Sequence, residues 1–109
     1  MEAIEKIKIE HAHGVEENEL ARLAEIFKLF GSVPRLKMLI KLSEREANAG
    51  ELSEASGLSP SATSHQLKDL RNCRIIKSRK DGLNVLYSLD DIHIMNILNI
   101  GIEHVRHIC

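Results

Sequence analysis

The chain has 109 residues, of which 43% are hydrophobic, 3% aromatic and 28% charged, and its formal net charge is −1 at pH 7. The length fits a single domain spanning 1–109, and the composition excludes a disordered tail, a collagen-like repeat and a low-complexity segment. No apolar run approaches the ~20 residues that a membrane span needs, and the first residues lack the apolar stretch of a signal peptide, so we expect a cytoplasmic protein.

The first predicted element is an amphipathic helix at 17–30. Its apolar residues recur at intervals of three and four, as expected for a helix with one buried face. The preceding segment, 1–15, has no clear periodicity, and we interpret it as a flexible arm. The apolar positions of the helix are Leu20, Leu23, Ala24, Phe27 and Phe30.

A second helix is predicted to begin directly after Gly31, which ends the first. Ser32 is a residue type that caps helix N-termini, and Pro34 follows at an early helical position, where its missing N–H has no cost. The helix continues to about Ser43. Its apolar face consists of Leu36, Leu39, Ile40 and Leu42.

Two short helices separated by a glycine turn come next. The first is predicted at 50–56 and the turn at Gly57–Leu58, and the second extends from a Ser59 cap and Pro60 to about Asn72. A short helix, a tight turn and a second helix form a helix-turn-helix, whose second helix is suited to the major groove of DNA.

A β-hairpin is predicted immediately after this motif. The segments 75–80 and 83–89 have the composition of strands, and Asp81–Gly82 between them is a signal for a two-residue hairpin loop. A hairpin in this position is a wing. The predicted fold class is therefore mostly α with a β-hairpin, a winged helix-turn-helix.

The last predicted helix begins at Asp90–Asp91 and extends to about Ile108. A terminal helix that is apolar on most sides cannot bury all of its apolar residues within one small domain. We expect it to pack, together with the N-terminal helix, in a symmetric homodimer. Its apolar residues are Ile92, Ile94, Met95, Ile97, Leu98, Ile100, Ile102, Val105 and Ile108.

The uneven charge indicates where an anionic partner would bind. Residues 1–30 contain seven Glu against four Lys and Arg, whereas 59–89 contain six Lys and Arg against two Asp, a local charge of +4. Hydroxyl and amide side chains near a helix N-terminus suit base edges and phosphates, although they also cap and solubilise ordinary surface helices. The residues predicted to contact double-stranded DNA are Ser61, Thr63, Ser64, His65, Gln66 and Lys68 on the second motif helix and Arg79 and Lys80 at the hairpin tip.

Three segments resemble the ArsR/SmtB family of metal-sensing bacterial repressors. VPRLKML at 33–39 is similar to the family's DPTRLKIL helix, with Val for Asp and no Thr; LSPSATSHQL at 58–67 resembles its recognition helix; and VLYSL at 85–89 matches the end of its wing. The resemblance extends from about Leu20 to His107. It implies a dimeric winged helix-turn-helix repressor that releases its operator when an inducer binds.

The last helix carries a candidate metal-ligand pattern, Asp91-x-His93 followed by His104-x-x-His107. At about 100° per residue, the three imidazoles share one face. A rise of ~1.5 Å per residue separates His93 from His104 by ~16 Å, too far for one ion with bonds of ~2 Å. Two antiparallel copies of the helix bring the two pairs together, and Asp91 joins them only if it lies at the helix start.

Three nitrogens and one carboxylate suit Zn(II), with Co(II) as a mimic. Histidines on a helix are often only surface residues, but this spacing coincides with the family's zinc site on the C-terminal helix. The resemblance therefore implies that Asp91, His93, His104 and His107 bind Zn(II) as an inducer.

Some family members bind soft metals through a Cys-x-Cys on the first motif helix, but the matching stretch here, 51–55, contains no thiol. His11 and His13 could add ligands and shift the preference toward six-coordinate Ni(II), or could belong to a mobile arm. Cys109 could reach the metal or remain a free terminal thiol.

Two other functions remain open. One is a repressor whose inducer is redox chemistry at Cys73 or Cys109, which form no CxxC pattern and no disulfide scaffold. The other is a metal hydrolase, but four protein ligands leave no open coordination position, and no general base is evident. We therefore expect no enzymatic activity.

Overall fold

The computed structural model describes Ile9 and residues 13–108. Within this part of the chain, five helices and one two-stranded antiparallel sheet follow the predicted order, which confirms the predicted fold class. No described helix combines the length and apolarity needed to cross a membrane. The elements are α1 (Glu17–Phe30), α2 (Val33–Glu44), α3 (Ala49–Ser56), α4 (Pro60–Asn72), β1 (Ile76–Asp81), β2 (Asn84–Leu89) and α5 (Ile92–Ile108).

Local capping interactions explain where the helices begin. Ser32 and Ser59 cap α2 and α4 as predicted, and the Ser59 Oγ accepts a hydrogen bond from the Ala62 N–H at 3.1 Å. Asn48 caps α3 through a reciprocal pair with Glu51: each side chain accepts from the other's backbone N–H, at 2.9 and 3.1 Å. These contacts use helix N–H groups that have no partner within the helix.

The core is aliphatic, as the low aromatic content predicts. It lies among α2, α3, α4, β1 and α5, while α1 contributes only Leu29 to the buried set. Since α1 adds so little to the core, most of its apolar face remains exposed. The core residues with almost no exposed surface are Met38, Leu39, Ala47, Leu52, Leu67, Leu70, Ile75 and Ile76.

The wing is a hairpin whose loop lies one residue later than predicted. Asp81 pairs with Asn84, so the two loop residues are Gly82 and Leu83. Gly82 has a φ of 65°, which is favourable for glycine and typical of the first central position of a type II′ turn. The pairing of Ile76 with Leu89 fixes this register, because a slip of one residue would reverse the faces of the strand.

A third backbone segment pairs with the wing. Ala47, in the link between α2 and α3, exchanges two hydrogen bonds with Tyr87 of β2, at 3.1 and 2.8 Å. No local sequence pattern indicates this pairing. The pairing attaches the base of the wing to the first helix of the helix-turn-helix.

Candidate DNA-binding surface and metal ligands

The turn between α3 and α4 is held by hydrogen bonds around one left-handed residue. Gly57 has a φ of 79°, and its N–H donates to the Ser53 carbonyl at 3.0 Å. The Ser53 hydroxyl donates to the Leu58 carbonyl at 2.7 Å, and the Leu58 N–H donates to the Ser56 hydroxyl at 3.2 Å. The angle between the two helices is therefore fixed locally, and the predicted helix-turn-helix is present.

Most of the predicted DNA-contacting residues of α4 lie on its outer face. Ser61, Ser64, His65 and Lys68 are exposed, and Gln66 is half-buried. The free N–H groups at the start of α4 point out of the same end of the helix, where they favour a phosphate. These side chains can donate to and accept from base edges and the DNA backbone.

Thr63 departs from the prediction that it contacts DNA. Its side chain is fully buried, and its hydroxyl has no hydrogen-bond partner among the described residues. The reason is helical spacing, because Thr63 shares the inward stripe of α4 with Leu67 and Leu70, four and seven positions later. Thr63 is therefore a core residue in this conformation.

Gln66 has a partner that the sequence did not indicate. Its side-chain oxygen accepts a hydrogen bond from the Arg35 guanidinium of α2 at 2.6 Å, across 31 positions of sequence. The neighbouring His65 has only a weak local contact, with its Nε2 3.8 Å from Asp69 and most of its side chain exposed. Of these two predicted residues, Gln66 alone is held in place from another element.

The wing arginine is engaged in a bidentate ion pair. The Arg79 Nε and Nη2 donate to the two carboxylate oxygens of Glu46 at 2.7 and 2.8 Å. The hydrogen bond from Arg79 lowers the pKa of Glu46, and partial desolvation opposes this shift. Lys80 is exposed at the end of β1. In this conformation the charge of Arg79 is balanced by a carboxylate 33 positions away in sequence, which the local charge count did not anticipate.

Asp91 lies at the start of α5, the position on which its predicted metal role depends. Its Oδ1 accepts from the backbone N–H groups of His93 at 2.9 Å and Ile94 at 3.3 Å, and its Oδ2 is 3.5 Å from His93 Nδ1. Desolvation is the largest single influence on the Asp91 carboxyl and raises its pKa, but hydrogen bonds from the Ile94 N–H and from His93 together outweigh it and lower the pKa overall. Asp91 and His93 thus form an exposed pair of potential ligands.

His104 and His107 are exposed near the other end of α5. They lie eleven and fourteen residues beyond His93, a separation of ~16 to 21 Å along a helix axis. Accordingly, no three His, Cys, Asp or Glu side chains in the described part of one chain form a group that could hold a metal ion. His11 and Cys109 lie outside the described residues, and His13 lies in an exposed turn.

Cys73, the C-cap residue of α4, is partly buried and not disulfide-bonded. Desolvation raises the pKa of its thiol, and the carboxylates of Glu25 and Asp69 raise it further. Because the thiolate is the reactive form, these surroundings reduce the fraction of Cys73 that is reactive at neutral pH.

Both α1 and α5 have exposed apolar residues. On α1, Leu20, Leu23 and Phe27 are each between 44% and 56% exposed. On α5, Ile92, Ile100 and Val105 are more than half exposed. Several exposed apolar residues on one helix are typical of an interface.

A helix-turn-helix followed directly by a two-stranded wing defines a winged helix-turn-helix DNA-binding protein. Residues 32–78 match the family described as "Bacterial regulatory protein, arsR family". The chain belongs to this arsR family.

Two curated relatives show the breadth of the likeness. The chain is 36% identical over 89 residues to the transcriptional repressor SmtB homolog of Synechocystis sp., which covers 82% of this chain and 67% of that protein. It is 33% identical over 87 residues to the cadmium resistance transcriptional regulatory protein CadC homolog of Staphylococcus aureus, covering 79% and 72%. Both relatives are named as transcriptional regulators.

Two solved structures support the fold. The crystal structure of Mycobacterium tuberculosis Rv0081 has a TM-score of 0.78 and 30% identity, covering 85% of this chain and 94% of that one. The homodimeric winged helix-turn-helix DNA-binding domain Mb0332 of Mycobacterium bovis has a TM-score of 0.74 at 20% identity, covering 87% and 94%. The second likeness concerns the fold alone.

Proposed function

We propose that this chain is a cytoplasmic, metal-responsive transcriptional repressor whose metal-free homodimer binds operator DNA. In this proposal Zn(II) binding between paired α5 helices releases the DNA. The observation that carries the proposal is the distribution of ligands on α5, with Asp91 and His93 at its start and His104 and His107 near its end, all exposed.

The exposed apolar residues of α1 and α5 support the homodimer. A second copy related by a two-fold axis can cover these surfaces with the same surfaces of its own. When two α5 helices pack antiparallel, the start of one lies beside the end of the other. Each of two equivalent sites then receives Asp91 and His93 from one protomer and His104 and His107 from the other.

The donor set fits Zn(II). Three imidazole nitrogens and one carboxylate oxygen make a four-ligand site, and the lowered pKa of Asp91 keeps its carboxylate ionised at neutral pH. Zn(II), when bound, supplies a four-coordinate link between the two helices. Co(II) suits the same ligands, and six-coordinate Ni(II) would require further ligands such as His11 and His13.

The relatives also support a metal inducer, since one of them is named for cadmium resistance. The present chain differs from a soft-metal site on the first motif helix, because α3 contains no cysteine. Its candidate ligands are nitrogen and oxygen atoms on α5, and we therefore assign Zn(II) rather than Cd(II) as the inducer.

Packing of α5 on the core provides a route from the ligands to the DNA-binding surface. Ile94 and Leu98 of α5 are buried in the same cluster as Leu67 and Leu70 of α4. Fixing the two α5 helices relative to each other therefore fixes the two α4 helices. Zn(II) weakens DNA binding if it binds more tightly to a dimer geometry that fits DNA poorly. The coupling is reciprocal, so DNA weakens Zn(II) binding by the same factor.

The competing inducer, thiol oxidation, is less well supported. The raised pKa of Cys73 disfavours the reactive thiolate. A catalytic role for the metal is not supported either, because four protein ligands leave no open coordination position.

The decisive experiment measures binding of fluorescent DNA from the gene's own upstream region by anisotropy, with and without Zn(II). Wild type should bind without metal and lose affinity with Zn(II), by roughly 5- to 150-fold for a typical coupling. Without metal, the variant His104→Ala/His107→Ala should bind DNA as tightly as wild type. Its DNA affinity should not change when Zn(II) is added. Glu103→Gln, which changes an exposed acidic residue on the same helix, should respond like wild type. An equal Zn(II) response in the double variant would exclude the α5 ligands as the switch.

A further inference from the structure

Arg35 connects three elements through one half-buried guanidinium. It is the third residue of α2, and its Nε donates to the Leu29 carbonyl at 2.7 Å. One terminal nitrogen donates to the Lys28 carbonyl at 3.4 Å, and the other donates to the Gln66 side-chain oxygen at 2.6 Å. The side chain thus joins the end of α1 to the middle of α4.

The contacts with α1 are well matched in charge. Lys28 and Leu29 lie in the last turn of α1, where backbone carbonyls carry a partial negative charge. The Lys28 carbonyl also accepts from the N–H of the cap residue Gly31 at 3.1 Å. A guanidinium is always protonated, and its rigid fork can donate in several directions at once. Two of its donor nitrogens are held by α1, so the third donor has a defined position relative to α4.

This contact determines which end of the Gln66 amide is available. A guanidinium has donors only, so the amide group that faces Arg35 must be the oxygen. The amide NH2 of Gln66 is then the end left to meet another molecule, and it can only donate. An unconstrained glutamine could instead rotate and present either end.

We propose that Arg35 is the positioning residue for Gln66: it presents the amide NH2 as a hydrogen-bond donor to acceptor atoms on DNA bases, from a position set by α1. The inference rests on the proposed function, in which α4 enters the DNA groove. In the major groove the matching acceptors are N7 of purines, O6 of guanine and O4 of thymine. Arg35 need not touch DNA for this role.

The test compares specific with non-specific DNA binding. The probes are a duplex selected by wild type from a random-sequence pool and a scrambled duplex of the same composition. Gln66→Met removes the donor at similar volume, and Arg35→Lys keeps the positive charge but cannot make all three contacts. Each should reduce discrimination between the duplexes by roughly tenfold, while binding to the scrambled duplex remains near wild type.

A double-mutant cycle separates positioning from a general structural role. In the Gln66→Met background, Arg35→Lys should cause little further loss of discrimination, because both changes remove the same contact. Arg45→Lys is the matched control. Arg45 also links two elements, through Glu51 of α3 at 2.6 Å, but it does not contact α4, so discrimination should be unchanged. Urea unfolding verifies that each variant is folded.

Two results would overturn the positioning role while the proposed function stands. One is wild-type discrimination in folded Arg35→Lys, and the other is losses that multiply in the double variant. If wild type selects no duplex from the pool, the proposed function fails and the role of Arg35 fails with it. Replacing each purine of the selected duplex by its 7-deaza analogue identifies a contact to N7: at such a base, wild type should lose affinity and Gln66→Met should not.

Discussion

Ser56 and Thr63 are the buried polar residues of the described chain, and they differ in hydrogen bonding. The Ser56 hydroxyl donates to the Ser53 carbonyl and accepts from the Leu58 N–H, both at 3.2 Å. The Thr63 hydroxyl has no hydrogen-bond partner within the described part of the chain. A buried polar group without a partner reduces stability, whereas a satisfied one contributes to it. The two residues therefore provide a matched pair for testing whether Thr63 belongs to the core.

Replacing Thr63 by valine should stabilise the protein, because it removes an unpartnered hydroxyl and keeps the shape of the side chain. We expect Thr63→Val to raise the free energy of unfolding by about 1 kcal/mol, measured by urea denaturation. Ser56→Ala should lower it by about 1 kcal/mol, because the Leu58 N–H loses its acceptor. DNA affinity of Thr63→Val should equal that of wild type. A loss of affinity in this variant would return Thr63 to the DNA-contacting set.

At the scale of elements, the features that depend on nearby residues were predictable. Ser32 and Ser59 each cap a helix through a residue three positions later, so the starts of α2 and α4 followed from the sequence. The position of Asp91 at the start of α5 is equally local. The hairpin loop was predicted one residue early, because its register depends on which strand residues face the core as well as on the Asp81–Gly82 pair.

Contacts between distant segments were not predictable in this way. Arg35 meets Gln66, Glu46 meets Arg79, and Ala47 pairs with Tyr87, and each contact joins residues more than 30 positions apart. Each requires the relative placement of two elements, which a local pattern does not contain. Thr63 was misplaced for a related reason: a hydroxyl residue suits both a DNA-contacting face and a helical core stripe, and only packing decides between them.

The pairing of Glu46 with Arg79 should limit how strongly the wing binds DNA. Glu46→Gln removes the competing carboxylate and leaves Arg79 free to contact a phosphate. The plot of log K against log salt concentration should become steeper by about 0.9 per protomer, the slope of one added phosphate contact. Because the pKa of Glu46 is lowered, the carboxylate is ionised and the pair intact throughout the neutral range and is lost only in acid.

Glu54→Gln is the control for this effect, since it removes the same charge from an exposed position of α3. It should leave the salt slope unchanged. An equal slope for Glu46→Gln and wild type would show that Arg79 remains off the DNA even without its partner.

At the scale of the whole molecule, the proposed dimer and the proposed metal site depend on each other. Each α5 carries its candidate ligands in two pairs too far apart for a single ion, and the same helix has exposed apolar residues between and beside them. In the proposed dimer, burying these apolar residues against a second copy also brings the candidate ligand pairs together. Dimerisation and tight Zn(II) binding should therefore be lost together.

Separate variants Leu23→Glu on α1 and Ile100→Glu on α5 test this dependence, because each places a charge on the exposed apolar surface without touching the core. Sedimentation velocity should show a shift from dimer to monomer. Competition with a chelator should show that Zn(II) affinity falls at least tenfold, because each separate protomer offers an ion only two adjacent ligands. Leu83→Glu is the control: Leu83 is fully exposed at the wing tip, so this variant should remain dimeric and bind Zn(II) like wild type. A monomeric variant that keeps wild-type Zn(II) affinity would place the metal site within one chain and contradict the shared site.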